Sequence, residues 1–206
     1  MKNARMIASK LQYNLSRLLW INLIFLTLAI ISNILLERWA LLNAHIAAFT
    51  ALSLILIRVY RTEPNRIQHA YLAVMWVYFF SFFWVSDPVT YDLLWLTLFP
   101  AMAAFVLERE QALIGWLSSF IAGLAVVMVF NALWPEKIGY STLGLGNLIF
   151  ATSFISLIAW FNFRFKQALQ TTQLNFQKQL ENRVEQATET ISKLNEQLEA
   201  SQRDVV

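Results

Sequence analysis

Residues 18–57 read LLWINLIFLTLAIISNILL-ER-WALLNAHIAAFTALSLILI, two uncharged runs of nineteen residues broken only by Glu37-Arg38. At ~1.5 Å per residue each run reaches about 28 Å as a helix, close to the hydrocarbon thickness of a bilayer. A two-residue break allows only a tight turn, so the stretch predicts an antiparallel helical hairpin in a membrane. The pattern repeats downstream. Residues 67–86 form a third apolar run, closed by Asp87-Pro88. Residues 89–107 form a fourth that holds one acid, Asp92, and residues 111–134 a fifth, ended by Pro135. Residues 138–163 form a sixth, ended by Arg164.

The expected fold is therefore an all-α membrane protein, a six-span bundle over 18–163. A segment 1–17 precedes it and a polar helix over 164–206 follows. Composition agrees: 58% of the chain is apolar and 14% charged, against about 45–50% apolar in soluble domains. The absence of cysteine excludes disulfides, thiol nucleophiles and thiolate metal sites.

Charge placement predicts orientation. Lys2, Arg5, Lys10, Arg17, Arg58, Arg61, Arg66, Arg109, Arg164 and Lys166 fall on one side, and only Arg38 and Lys137 on the other. The positive-inside rule then places both termini of this multi-pass protein in the cytoplasm. The net charge of +3 thus reflects topology and lipid headgroups rather than a nucleic-acid partner. Trp39, Trp84 and Trp134 mark one interface, and Trp20, Trp116 and Trp160 lie toward the other, as an aromatic belt should. Loops this short leave no room for an extracellular domain. Any stimulus must be lipophilic, small enough to enter the bundle, or a property of the membrane.

From Arg164 the composition turns to Gln, Glu, Asn and Lys. Val184, Ala187, Ile191, Leu194, Leu198, Ser201 and Val205 recur in steps of three and four, an a/d seam. Leu169, Gln173, Phe176 and Leu180 extend it upstream, and the steps from Gln173 to Val184 make a stutter that locally unwinds a supercoil. The seam predicts a parallel homodimer gripped through Leu180, Val184, Ala187, Ile191, Leu194 and Leu198; a solvated single helix with chance periodicity is the alternative. The pattern stops in mid-heptad at Asp204-Val205-Val206, so the stalk is expected to continue.

This order of parts, with Leu180-Glu181-Asn182-Arg183-Val184 in the stalk and Phe99-Pro100, Ala104-Phe105 and Trp116 in spans 4 and 5, resembles the N-terminal membrane-associated sensor domains of bacterial diguanylate cyclases and histidine kinases. The resemblance implies a non-catalytic input module whose chemistry belongs to an output domain after the coiled coil.

Within the spans few groups carry chemistry. His45 and His69 differ in depth by roughly 18 Å at ~1.5 Å per residue, too far apart to share a metal or haem iron, and no cofactor is expected. His45, Trp84, Asp87, Asp92, Trp95 and Asn131 lie at similar depth and are expected to border one aromatic-lined pocket for a lipophilic small molecule. The plainer alternatives are that His45 is a packing residue, that Asp87-Pro88 merely ends span 3, and that Asp92 is hydrated at the interface. Pro100 should kink span 4, either for packing or as a hinge. Gly115, Ser119 and Gly123 allow close helix approach, within the bundle or between copies. A small transporter or channel is the competing function. It would need a charged path, broken helices and often an inverted repeat.

Overall fold

A computed structural model describes residues 2–85, 91–135 and 140–203, and every described element is helical. The helices are α1 (Lys2–Leu35), α2 (Trp39–Arg58), α3 (Pro64–Val85), a 3₁₀ helix (Tyr91–Thr97), α4 (Leu98–Val106), α5 (Glu110–Leu133) and α6 (Thr142–Arg203). The chain divides into two units between Asn162 and Phe163.

Among the described residues, four helices are long and apolar enough to cross a membrane: 12–35 within α1, α2, α5, and α6 from Leu143. Helix α3 has the length, at 22 residues, but its Gln68, His69 and tyrosines dilute its hydropathy. These helices turn large apolar side chains outward, including Phe25, Leu35, Leu54, Val129 and Phe150. Apolar groups are stable on the outside only where the surroundings are themselves apolar, as in lipid.

The α1–α2 turn answers the expectation of a tight hairpin. Arg38 N–H bonds to Asn33 C=O at 2.9 Å and Glu37 N–H to Ile34 C=O at 3.3 Å, the paired bonds of a Schellman motif. Its left-handed position, where glycine is usual, is held by Glu37 at φ 56°, at a cost of about 1–2 kcal/mol. The α2–α3 turn ends at Pro64, the first residue of α3, where the missing N–H would have no helical partner.

Helix α1 begins at Lys2 and runs without a break into the first apolar stretch. One expectation needs correction. Span 4 is not one α-helix kinked at its middle by Pro100. Seven residues of 3₁₀ helix lead into nine of α, and Pro100 lies in the first turn of α4. Proline cannot supply the N–H that would bond Leu96 C=O in an α ladder. The α pattern therefore begins only where such donors are not required.

The core of the first unit is aromatic. Phe99 of α4 stacks on Phe120 of α5 with ring centroids 4.3 Å apart and planes within 9°. Phe80 of α3 meets Phe120 edge-on at 5.2 Å, and Trp76 stacks on Phe80 at 4.2 Å. Gly123 makes room for this: a Cβ there would stand 2.5 Å from the tip of Phe80. Gly115 meets nothing within 4 Å and Ser119 is exposed, so only one end of the small-residue stripe serves helix packing.

In the second unit, the seam positions Leu180, Val184, Ile191 and Leu194 are 46–64% exposed on the single chain and Ala187 is exposed as well. The side chain of Leu198 lies outside the described residues.

Candidate functional site

A cavity of about 540 Å³ opens in the first unit, within the ~300–1,000 Å³ usual for ligand pockets. One side is lined by α1 from Leu18 to Asn33 and by Leu36 just beyond it; Trp95, Leu98, Ala101 and Met102 also line it. Met75, Tyr78, Phe79 and Phe82 of α3 form its floor. Arg38, just before α2, and Leu41 and His45 in its first turns add to the lining.

The two ends differ in polarity. Toward the α1–α2 turn stand Ser32, Asn33, Arg38 and His45. Toward Leu18 the lining is Ile21, Phe25, Met75 and Met102, with Asn22 the one polar side chain. Asn22 is engaged: its Nδ2 donates to the hydroxyl of buried Tyr71 at 2.7 Å. Asn33 donates to Ala29 C=O at 2.8 Å, which uses one of its two amide hydrogens. No Asp or Glu lines the cavity among the described residues.

His45 is 6% exposed. Its Nδ1 lies 2.6 Å from Leu41 C=O, so Nδ1 carries the proton and Nε2 is left as an acceptor in the neutral ring. Phe82 stacks on the imidazole at 6.0 Å and Tyr78 meets it edge-on at 5.6 Å. These contacts fix the ring at the cavity's polar end.

Of the residues expected to share a pocket, the structure brings His45 and Trp95 to this cavity. Asn131 stands elsewhere. Its amide pairs with the Tyr140 backbone, donating to C=O at 2.9 Å and accepting from N–H at 3.1 Å. It thereby ties the end of α5 to the approach to α6. Trp84 is 62% exposed and does not line the cavity. Asp87 lies outside the described residues; Asp92 is the second residue of the 3₁₀ helix, and its side chain is not among those described. Sequence reading missed Arg38, Ser32 and the whole α1 wall. One signal was present: Arg38 precedes His45 by seven residues, about two helical turns, which sets both near one face of α2.

A second polar cluster joins α3, α4, α5 and the start of α6 within the same unit. Gln68 Nε2 donates to Val106 C=O at 2.6 Å, satisfying a carbonyl that the end of α4 leaves open. Trp116 Nε1 donates to His69 Nδ1 at 2.8 Å with the two rings stacked. Trp160 Nε1 donates to Glu110 Oε1 at 2.9 Å. His69 is thus a packing partner. Among the described residues no three His, Asp or Glu side chains gather to hold a metal ion.

No family model, curated protein or solved structure matches this chain. The site's chemistry therefore has to be read from its own residues. It is an apolar cavity whose described polar side chains gather mostly near the α1–α2 turn.

Proposed function

We propose that this chain is a sensory input module of a bacterial signal-transduction receptor: six spans in the inner membrane, both termini cytoplasmic, and a homodimeric stalk leading to a diguanylate cyclase or histidine kinase output domain. The observation that carries the reading is α6. It runs unbroken for 62 residues from an apolar stretch into the polar heptads, with no Gly or Pro after Gly146. A helix of that kind passes movement along its length, and exposed a/d residues are what a second copy would cover.

The six-span count is supported by lengths. The 3₁₀ helix and α4 together rise about 27 Å, at ~2.0 and ~1.5 Å per residue, and α3 is longer than either of its neighbours needs to be to cross. The cavity supplies a place where a lipophilic molecule could favour one helix arrangement over another, and only such differential binding shifts a two-state equilibrium. A transporter would need a charged path through the spans, and the cavity's described lining carries one full charge, Arg38.

The chain's lack of cysteine makes the test clean. Cysteines at Asn65 and Gln177 should be protected from an impermeant thiol reagent in intact cells, and one at Lys137 labelled. Ile191→Cys and Leu198→Cys should crosslink to their own copies, and Glu196→Cys, off the seam, should not. Equal crosslinking at all three positions would remove the dimeric stalk, and labelling at Asn65 would reverse the orientation.

A further inference from the structure

The polar cluster that joins α3 and α5 contains a hydrogen bond with only one possible direction. An indole N–H can donate but not accept. In the 2.8 Å contact between Trp116 Nε1 and His69 Nδ1, the imidazole nitrogen therefore accepts. The neutral ring then carries its proton on Nε2. A second proton has to go on Nδ1, where it would point at the indole N–H. Donor then faces donor, and the bond is lost. Ring contact does not replace it. The centroids are 6.1 Å apart with planes 26° from parallel, beyond the ~6 Å within which a ring face holds a cation. The indole edge that meets Nδ1 is the positive part of its quadrupole.

No acid stands ready to hold the imidazolium. Among the described residues no carboxylate pairs with His69. Glu63, at the same end of α3, pairs with Arg66 at 3.1 Å. Glu110 of α5 takes the Trp160 N–H. The other charged groups on the packed elements are Glu108 and Arg109 in the α4–α5 turn, Arg58 at the end of α2, and Arg17 of α1, which lies over Tyr13. Helix α4 carries no charge. His69 is half-buried near the start of α3, at the aqueous end of its span, so the ring is within reach of water. Histidine is the side chain that changes charge between about pH 5 and 8.

We propose that His69 and Trp116 form a proton-operated latch between α3 and α5. The neutral imidazole holds the indole and the protonated one releases it, so the bond is present at higher pH and lost as pH falls. Release acts at one end only. Farther along, Phe80 packs on Phe120 and over Gly123 and keeps α3 against α5. The released indole borders Phe99, at 6.3 Å between centroids. Helix α5 also carries Glu110, whose carboxylate holds Trp160 of α6. That second bond is no switch, because a carboxyl group keeps an acceptor oxygen in either protonation state. The cytoplasmic source of the proton, and any effect on an output domain, rest on the sensory reading above; the release itself does not.

The test uses the full chain in nanodiscs of phosphatidylcholine and phosphatidylglycerol, with nitrogen-labelled tryptophan and histidine, titrated by NMR from about pH 8 to pH 5. The Trp116 indole resonance is identified by its absence in Trp116→Phe. It should leave its downfield, hydrogen-bonded position as pH falls, with the same midpoint as the His69 ring nitrogens. His69→Asn sets an amide oxygen where Nδ1 stands, an acceptor that does not titrate, and should hold the resonance downfield throughout. His69→Phe, a ring without an acceptor, should leave it upfield throughout. If Trp116→Phe does not fold, spin labels on Asn65→Cys and Gln111→Cys, in a chain without other cysteines, report instead. Their separation should change with pH in the parent and stay constant with His69→Asn. An indole resonance or a label separation that stays in place while His69 titrates would overturn the latch. So would a His69 ring that does not titrate over the range, or an equal pH response in His69→Asn. Release with no pH effect on a fused output domain would leave the latch and remove its signalling role. An output domain whose pH response survives in His69→Asn would keep the sensory reading and remove the latch from it.

Discussion

The α3–α4–α5 wedge and the cavity beside α1 draw on the same residue types, and Phe79 belongs to both. It meets Phe99 edge-on at 6.4 Å on the wedge side and lines the cavity on the other. The wedge is filled: Phe99 and Phe120 are fully buried, and buried Gln68 and partly buried Trp116 each have a partner. Across the cavity, α1 and the 3₁₀–α4 segment face each other with space between them. The difference lies in backbone approach rather than in hydrophobicity. Gly123 lets α3 rings settle against α5, whereas Phe25, Leu28 and Met102 leave their shared space unfilled. A close-packed aromatic region resists rearrangement, whereas helices that face each other across open space lack those contacts.

This contrast makes ordered predictions, read as unfolding free energies in detergent micelles. Phe120→Ala should cost about 3–5 kcal/mol, because it removes a buried ring with neighbours on both sides. Phe25→Ala, on a ring 60% exposed, should cost under about 1 kcal/mol, since little burial is lost. Equal losses at the two positions would erase the distinction. Gly123→Val should cost about 1–3 kcal/mol by overpacking against Phe80. Gly115→Ala should be neutral or gain up to about 1 kcal/mol from helix propensity. A tolerated Gly123→Val would mean that the wedge can yield.

Gln68→Ala should cost about 1–3 kcal/mol by leaving the Val106 carbonyl without its donor. Restoration by Gln68→Asn would show that the carbonyl's partner need not sit at that reach. One substitution should bring a gain. Glu37→Gly should stabilise the hairpin by about 1 kcal/mol by relieving the left-handed backbone, and no change would show the turn to be unstrained.

The helices were legible in the sequence to within a few residues. The ends of α2, α3 and α5 fall within three of the charged and proline breaks that predict them, because charge and proline act locally. The α1 wall of the cavity was not legible. A helix that is apolar all round carries no stripe to say which side meets a neighbour. Depth could be counted along each span, and it grouped His45 with Trp95 and also with Asn131. Rotation about each axis could not be counted, and rotation is what turns Asn131 to Tyr140 and away from the cavity. The 3₁₀ stretch was hidden for another reason. Pro100 announces that an α ladder must fail near it, but not which geometry the chain adopts instead.

That 3₁₀ stretch stores length. Rewound to α pitch, its seven residues would shorten by about 3.5 Å and turn by roughly 140° from end to end. The same rewinding would ask Pro100 for a hydrogen it lacks and leave the buried Leu96 carbonyl without a donor in a medium that offers no water. The donor missing at Pro100 thus favours the longer pitch, at which Trp95 lines the cavity.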